Sequence, residues 1–144
     1  LIIDQGKTNG ILRNMAVIHQ NGIVGRVFRA GHSVSQILLI TDTRSSVDIL
    51  VQRSRAQGVF SSSSEKQGEV RYMPADADVK NNDLLVSSGF GGIFPKGLPV
   101  ARVVATSING KRLFKNILAT PSVDFNKLEE VMVMLVPPKE SPWR

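Results

Sequence analysis

Cysteine is absent from the chain. That removes disulfide scaffolds, thiolate metal sites, thiol nucleophiles and redox switches together. It leaves the compartment open, because a thiol-free chain tolerates oxidising and reducing surroundings alike. Aromatic residues are scarce, at 6%, and only one is Trp. Helical periodicity is nearly missing, so no crossover helices are available for βαβ units. No apolar run approaches the roughly 20 residues that span a bilayer, and no signal peptide is visible. No block of about five or six like charges occurs, which excludes a charged arm. The first residue is Leu1 rather than Met and lies inside a strand pattern. The chain therefore reads as a fragment of a longer protein, cut at its N-terminal side.

What is present has the balance of a globular chain. Hydrophobic residues make up 42% and charged residues 21% of 144. That length suits one ordinary domain or two very small ones sharing an interface. Eighteen Lys plus Arg against 12 Asp plus Glu give a net charge of +6. Such a balance raises nucleic acid or an anionic membrane surface as partners. The bases are scattered from Lys7 to Arg144, however, and the closest pairs are Arg53 with Arg55 and Lys111 with Arg112. A solvated basic surface explains them equally well.

Alternation and short β-branched runs dominate. Strands are expected at Leu1 to Ile3, Met15 to His19, Gly22 to Phe28, Ile37 to Ile40, Val47 to Val51 and Ala56 to Phe60. More follow at Glu69 to Met73, Leu84 to Ser87, Leu98 to Ala105, Leu113 to Thr120 and Val131 to Val136. In Gly22 to Phe28, the alternation puts Ile23, Gly25 and Val27 on one face and Val24, Arg26 and Phe28 on the other. Ser61 to Ser64 is an exposed loop by composition. Only Asp124 to Glu130 resembles a helix, with Asp124 as its N-cap. Pro137 and Pro138 end the last strand, and the tail to Arg144, with Trp143, is expected to be extended. About ten or eleven short strands between Gly- and Pro-rich turns predict an all-β fold.

An internal echo refines this. Asn14-Met15-Ala16-Val17 precedes Gly22-Ile23-Val24-Gly25-Arg26-Val27, and Asn82-Asp83-Leu84-Leu85-Val86 precedes Gly97-Leu98-Pro99-Val100-Ala101-Arg102-Val103. Each copy ends in a further apolar strand, Val47 to Val51 or Val131 to Val136. The echo predicts two small packed β-barrels with short turns and at most one short helix. Most of the first would lie in residues 1–54 and most of the second in 55–136, with strands open to exchange between them and 137–144 as a tail. Units of roughly 70 residues are marginal alone, so the two should pack as one rigid piece.

Few residues point to chemistry. His19 and His32 are the only histidines, and no carboxylate stands at ligand spacing from them, so no metal site is expected. His19 or His32 with Asp42 or Asp48 and Ser88 occur in an order a hydrolytic triad permits. Yet there is no nucleophile elbow, and fourteen serines make chance matches common. A serine-protease-like hydrolase would have to react with a serine-directed phosphonate. Gly89-Phe90-Gly91-Gly92 is glycine-rich, but Ile93-Phe94-Pro95 prevents the helix a phosphate cradle needs. No cofactor is expected. The same stretch keeps open a basic barrel that binds single-stranded nucleic acid by stacking, which a salt-dependent oligonucleotide shift would reveal. Read without that, it is a tight turn whose Phe90 and Phe94 plug a barrel end, or a contact surface for another chain.

Taken together, four stretches resemble the extracytoplasmic region of the rod shape-determining MreC family. They are Asp4-Gln5-Gly6 with Gly10, then Gly22 to Val27, then Ser35-Gln36-Ile37-Leu38-Leu39-Ile40-Thr41-Asp42. The fourth is Asn82-Asp83 through Ser87-Ser88-Gly89-Phe90-Gly91-Gly92-Ile93-Phe94-Pro95-Lys96-Gly97-Leu98-Pro99-Val100. The chain departs from the family pattern at Asn82 and Ser61, where Gly is usual, at Ser87, where Thr is usual, and at Ala101, where Gly is usual. The resemblance implies two small β-barrels without enzymatic activity, acting as a scaffold for cell-shape maintenance on the outer face of the inner membrane. It implies self-association, binding to the elongation transpeptidase of the penicillin-binding class, and a polytopic membrane partner. It also implies an N-terminal transmembrane helix and coiled coil outside this chain. It implies no nucleic acid and no small-molecule substrate. Edge strands and exposed glycine loops are where such a module meets other chains. The expected contact residues are Gly22, Val24, Arg26 and Phe28 in one region, and Ser88, Gly89, Phe90, Gly91, Gly92, Phe94 and Pro95 in the other.

Overall fold

A computed structural model describes residues 1–64, 66–108 and 113–136. The expected tail 137–144, with Trp143, and the Lys111–Arg112 pair lie outside the described residues. The fold is all-β. Eleven strands run in chain order among the described residues: β1 (Ile2–Ile3), β2 (Ala16–His19), β3 (Gly22–Ala30), β4 (Ser35–Leu39), β5 (Val47–Val51), β6 (Gln57–Ser62), β7 (Gly68–Arg71), β8 (Leu84–Ser87), β9 (Pro99–Ser107), β10 (Asn116–Pro121) and β11 (Met132–Val133). All pairings are antiparallel. No helix among the described residues is long and apolar enough to cross a membrane.

The strands form two units. One is a closed barrel in the order β10-β7-β6-β5-β8-β9, and the other is an open sheet in the order β1-β4-β3-β2-β11. The alternating sequence of each barrel strand explains its closure. Val47, Ile49, Val51, Phe60, Val70, Leu85, Val100, Val103, Ile117 and Ala119 point inward into one core. Glu69, Arg71, Arg102 and Leu118 alternate outward. Phe60 is fully buried because Gly68 on the neighbouring strand leaves room for its ring. The sheet has its own core of Ile11, Met15, Val17, Val24, Val27, Ile37 and Val123.

The strand allocation departs from a boundary after residue 54. Val47–Val51 pairs with β6 and β8 and belongs to the barrel. Its three inward valine and isoleucine side chains find their partners there. Val133 pairs with Val17, so the last apolar strand returns to the first sheet. The closing strands of the two echoed copies have thus changed places.

Other boundaries move for local reasons. β3 carries a bulge at Val24, between the pairs Val17↔Gly25 and Ile18↔Ile23. The bulge breaks the expected alternation. Ile23 turns into the barrel core while Val24 and Val27 fill the sheet core. The expected loop Ser61 to Ser64 begins as strand, since Ser61 and Ser62 pair with Glu69 and Gly68. The expected helix after Asp124 is a single 3₁₀ turn, Phe125–Lys127, with the Asp124 carboxylate accepting from Asn126 N at 3.0 Å.

The two units are pinned together. Ile23 of the sheet is completely buried in the barrel core, and Phe125 packs against both cores. Gly22, at φ +149, abuts the Pro99 carbonyl, where any side chain would collide. Ile40 N donates to Val24 O at 3.0 Å, tying the crossover from β4 to the sheet.

Candidate partner-binding site

The glycine-rich loop between β8 and β9 is built on Ser87. The Ser87 hydroxyl donates to Pro95 O and accepts from Leu98 N at 2.9 Å. Gly97 N donates to Ser87 O, and Ser88 N donates to Asp48 O on β5 at 3.0 Å. A serine here makes the bonds that a threonine hydroxyl would make. Above this base, Gly89, Gly91 and Gly92 all take left-handed φ values of 87°, 84° and 74°. L residues rarely adopt that conformation, so the glycines decide the loop's path. Phe94 is half-buried and packs on the barrel core, as expected for a ring that plugs a barrel end. Phe90 does not plug anything: it is 63% exposed.

The loop is not isolated. Phe90, Ile93, Phe94 and Pro95 share a groove of about 510 Å³ with Ala16 of β2 and with Met134 and Val136, which follow β11. Met134 N donates to Ala16 O at 2.9 Å, which fixes this third wall. The phenyl ring of Phe90 and this mostly apolar groove leave a contiguous apolar surface open to water.

The β3 residues belong elsewhere. β3 is flanked by β2 and β4, so it offers no free edge. Gly22 and Val24 are buried and serve packing, which removes them from any docking surface. Arg26 is half-buried, and its Nη1 donates to Asn14 Oδ1 at 2.6 Å. Burial, with Arg13 nearby, lowers its pKa. Phe28 is half-buried at a second bulge, with the Arg44 guanidinium 5.5 Å from its ring centre. The two expected regions therefore form no joint site. Met134 and Val136 were not expected, and only their apolar character hinted at them.

Among the described residues, neither histidine hydrogen-bonds a serine or a carboxylate. His19 Nδ1 accepts from Asn21 N, and Ser88 Oγ accepts from Phe90 N. Asp42 is taken by Arg44 at 2.8 Å, whose side-chain and backbone N–H groups lower the Asp42 pKa to about 2. Among the described residues, no group of three or more His, Asp or Glu side chains could hold a metal ion.

Fold and surface define a class: a strand-built module of one barrel and one curled sheet that exposes apolar surface at the β8–β9 loop. The family model "Rod shape-determining protein MreC, barrel core" matches residues 1–135, and the chain belongs to that family. It is 30% identical over 135 residues to the cell shape-determining protein MreC of Escherichia coli K12, which covers 93% of this chain and 37% of that protein. It is 31% identical over 103 residues to the MreC of Caulobacter vibrioides, covering 72% of this chain and 30% of that protein. The chain thus spans well under half the length of these relatives. The crystal structure of MreC from Pseudomonas aeruginosa superposes with a TM-score of 0.88 at 31% identity, covering 92% of this chain and 86% of that one. The fold also matches, with a TM-score of 0.70 at 16% identity, a chain in the complex between penicillin-binding protein PBP2 and MreC from Helicobacter pylori. It covers 85% of this chain and 79% of that one.

Proposed function

We propose that this chain is the extracytoplasmic part of a non-enzymatic scaffold for bacterial cell-shape maintenance. It self-associates and holds the elongation transpeptidase of the penicillin-binding class on the outer side of the inner membrane. A polytopic membrane protein is a further partner, and an N-terminal transmembrane helix anchors the full-length protein. Membership of the MreC family supports the scaffold role. The Helicobacter pylori complex of PBP2 with an MreC of this fold supports the transpeptidase as partner.

The exposure of Phe90 over the groove lined by Phe94, Met134 and Val136 carries the assignment of a contact surface. The ring is large and is held out by a loop whose base is fully hydrogen-bonded, so little conformational entropy is lost when a partner covers it. Titration calorimetry with the extracytoplasmic domain of the cognate transpeptidase tests this. Phe90→Ala should weaken binding about tenfold or more, since buried aromatic anchors contribute at least ~1–2 kcal/mol. Unchanged affinity for Phe90→Ala would remove the loop from the interface. No binding by the parent chain would remove the transpeptidase.

A further inference from the structure

The second bulge of β3 falls between the pairs Val27↔Ile37 and Arg29↔Gln36, with Phe28 as the extra residue. Along a regular strand, neighbouring side chains point to opposite faces. Here Phe28 and Arg29 line the same pocket, because the bulge re-aims the backbone between them. The pocket measures about 350 Å³, and Lys7, Leu12, Arg13 and Ala30 complete its walls. It shares no residue with the groove beneath Phe90.

The backbone of these walls is fixed by hydrogen bonds within the chain. Lys7 opens a 3₁₀ turn, Lys7–Asn9, and the amides of Lys7 and Thr8 donate to Gly31 O and His32 O at 2.8 and 3.2 Å. The turn that carries Leu12 and Arg13 closes through Met15 N, which donates to Leu12 O at 3.3 Å. Asn14 N ties that turn to β3 by donating to Val27 O at 2.8 Å, and Arg26 Nη1 holds the Asn14 side chain. Three pieces of backbone thus present Lys7, Arg13 and Arg29 to one space, with little ordering left for a ligand to impose.

The charge in that space is of one sign. No Asp or Glu lines it, and among the described residues Lys7, Arg13 and Arg29 form no salt bridge. Arg13 also acts on the half-buried Arg26, whose pKa is lowered first by burial and then by this like charge. Arg44, over the Phe28 ring, is bound to Asp42 at 2.8 Å, so that carboxylate is already neutralised within its own pair. Converging cations without a counter-charge repel one another, and an anion seated among them relieves the repulsion. A carboxylate offers two oxygens and a phosphate group more, and guanidinium forks match phosphate geometry. Leu12, 48% exposed, and the half-buried Phe28 add apolar surface beside the bases, which suits a phosphate carried on an organic group. We propose that this pocket binds a phosphate-bearing ligand, its phosphate held by Lys7, Arg13 and Arg29 and its carrier laid against Leu12 and Phe28. Two sources supply that chemistry: the headgroup of an anionic phospholipid, or a soluble phosphate compound.

Amide NMR spectra of the chain, titrated at fixed ionic strength with sodium pyrophosphate, read the soluble source. Flotation with phosphatidylglycerol vesicles, against phosphatidylcholine vesicles, reads the headgroup source. Saturable shifts centred on Lys7, Arg13 and Arg29 support a soluble phosphate, and capture by the anionic vesicles alone supports a headgroup. In either arm, Arg13→Glu with Arg29→Glu should weaken binding about tenfold or more. Arg71→Glu with Lys115→Glu makes the same change of net charge on the barrel and should leave binding within about twofold of the parent. Melting temperatures check folding, and Arg13→Gln with Arg29→Gln takes the place of the reversal pair if that pair melts early. Silence in both arms overturns the proposal. Equal weakening by the two charge-reversal pairs overturns it too, by assigning the binding to the diffuse charge of +6. So does succinate that shifts the same amides as strongly as pyrophosphate, which would make the pocket a carboxylate site. None of these readouts passes through Phe90, so transpeptidase binding and this pocket can each fail while the other stands.

Discussion

Arg53 gathers two carboxylates from a bend that is otherwise only turn and coil. Its Nη1 meets Asp78 Oδ2 at 2.6 Å, and its Nε and Nη2 fork onto Asp83 at 3.0 and 2.9 Å. These hydrogen bonds hold both carboxyls below the usual carboxylate range, as Arg44 holds Asp42. A depressed carboxyl stabilises the fold above its unfolded pKa, near 4, and that stabilisation fades as pH falls through the folded value. The melting temperature should therefore drop between about pH 4 and pH 2, and Arg53→Met should flatten that acid limb. A pH series of thermal melts checks both. Gly25 acts through space rather than charge. A Cβ there would collide with the Leu38 carbonyl on β4. Gly25→Ala should cost about 1–3 kcal/mol or more, read by urea unfolding, because backbone must shift to admit it. Asn82 takes φ +73, and Asn tolerates the left-handed region better than most residues.

At the scale of the element, β3 and the Ser88–Pro95 loop divide the expected contact residues between them. The loop was legible in the sequence, since three glycines among aromatics mark a backbone that ordinary residues avoid. Its groove was legible only in part. Met134 and Val136 lie some forty residues further on, just after β11, and nothing local ties them to Phe90. β3 was legible as a strand but not in its facing, because a bulge leaves no reliable mark in an apolar run such as Ile23-Val24. The bulge has an energetic signature. Ile23→Ala should destabilise by about 2–5 kcal/mol, since the side chain is wholly buried in the barrel core. Phe90→Ala should stay within about 0.5 kcal/mol of the parent. Chemical denaturation of the two variants separates a buried packing residue from an exposed one.

For the whole molecule, the all-β class follows from strand spacing and turn chemistry, and the echo points to two related units. The exchange of their closing strands was not legible, because pairing between distant segments is settled by packing rather than by local pattern. The shared residues Ile23 and Phe125 predict that barrel and sheet unfold together. Far-UV circular dichroism and near-UV signals should therefore trace one coincident urea transition, and two separated transitions would show the units to be independent. A chain ended at Glu130 removes β11. It should lose hydrogen-exchange protection in β2, the strand β11 covers, more than in β5 at the barrel centre.

The return of β11 to the first sheet also sets an order of events in time. A polypeptide made from its N-terminus delivers Ile2 through Leu39 first, yet that sheet still lacks its last member. The barrel, from Val47 to Pro121, is one uninterrupted stretch and becomes complete before Met132 is even synthesised. Strands β1 to β4 are thus finished only after the barrel that follows them, and a nascent chain that stalls before Met132 leaves them waiting with a bare flank.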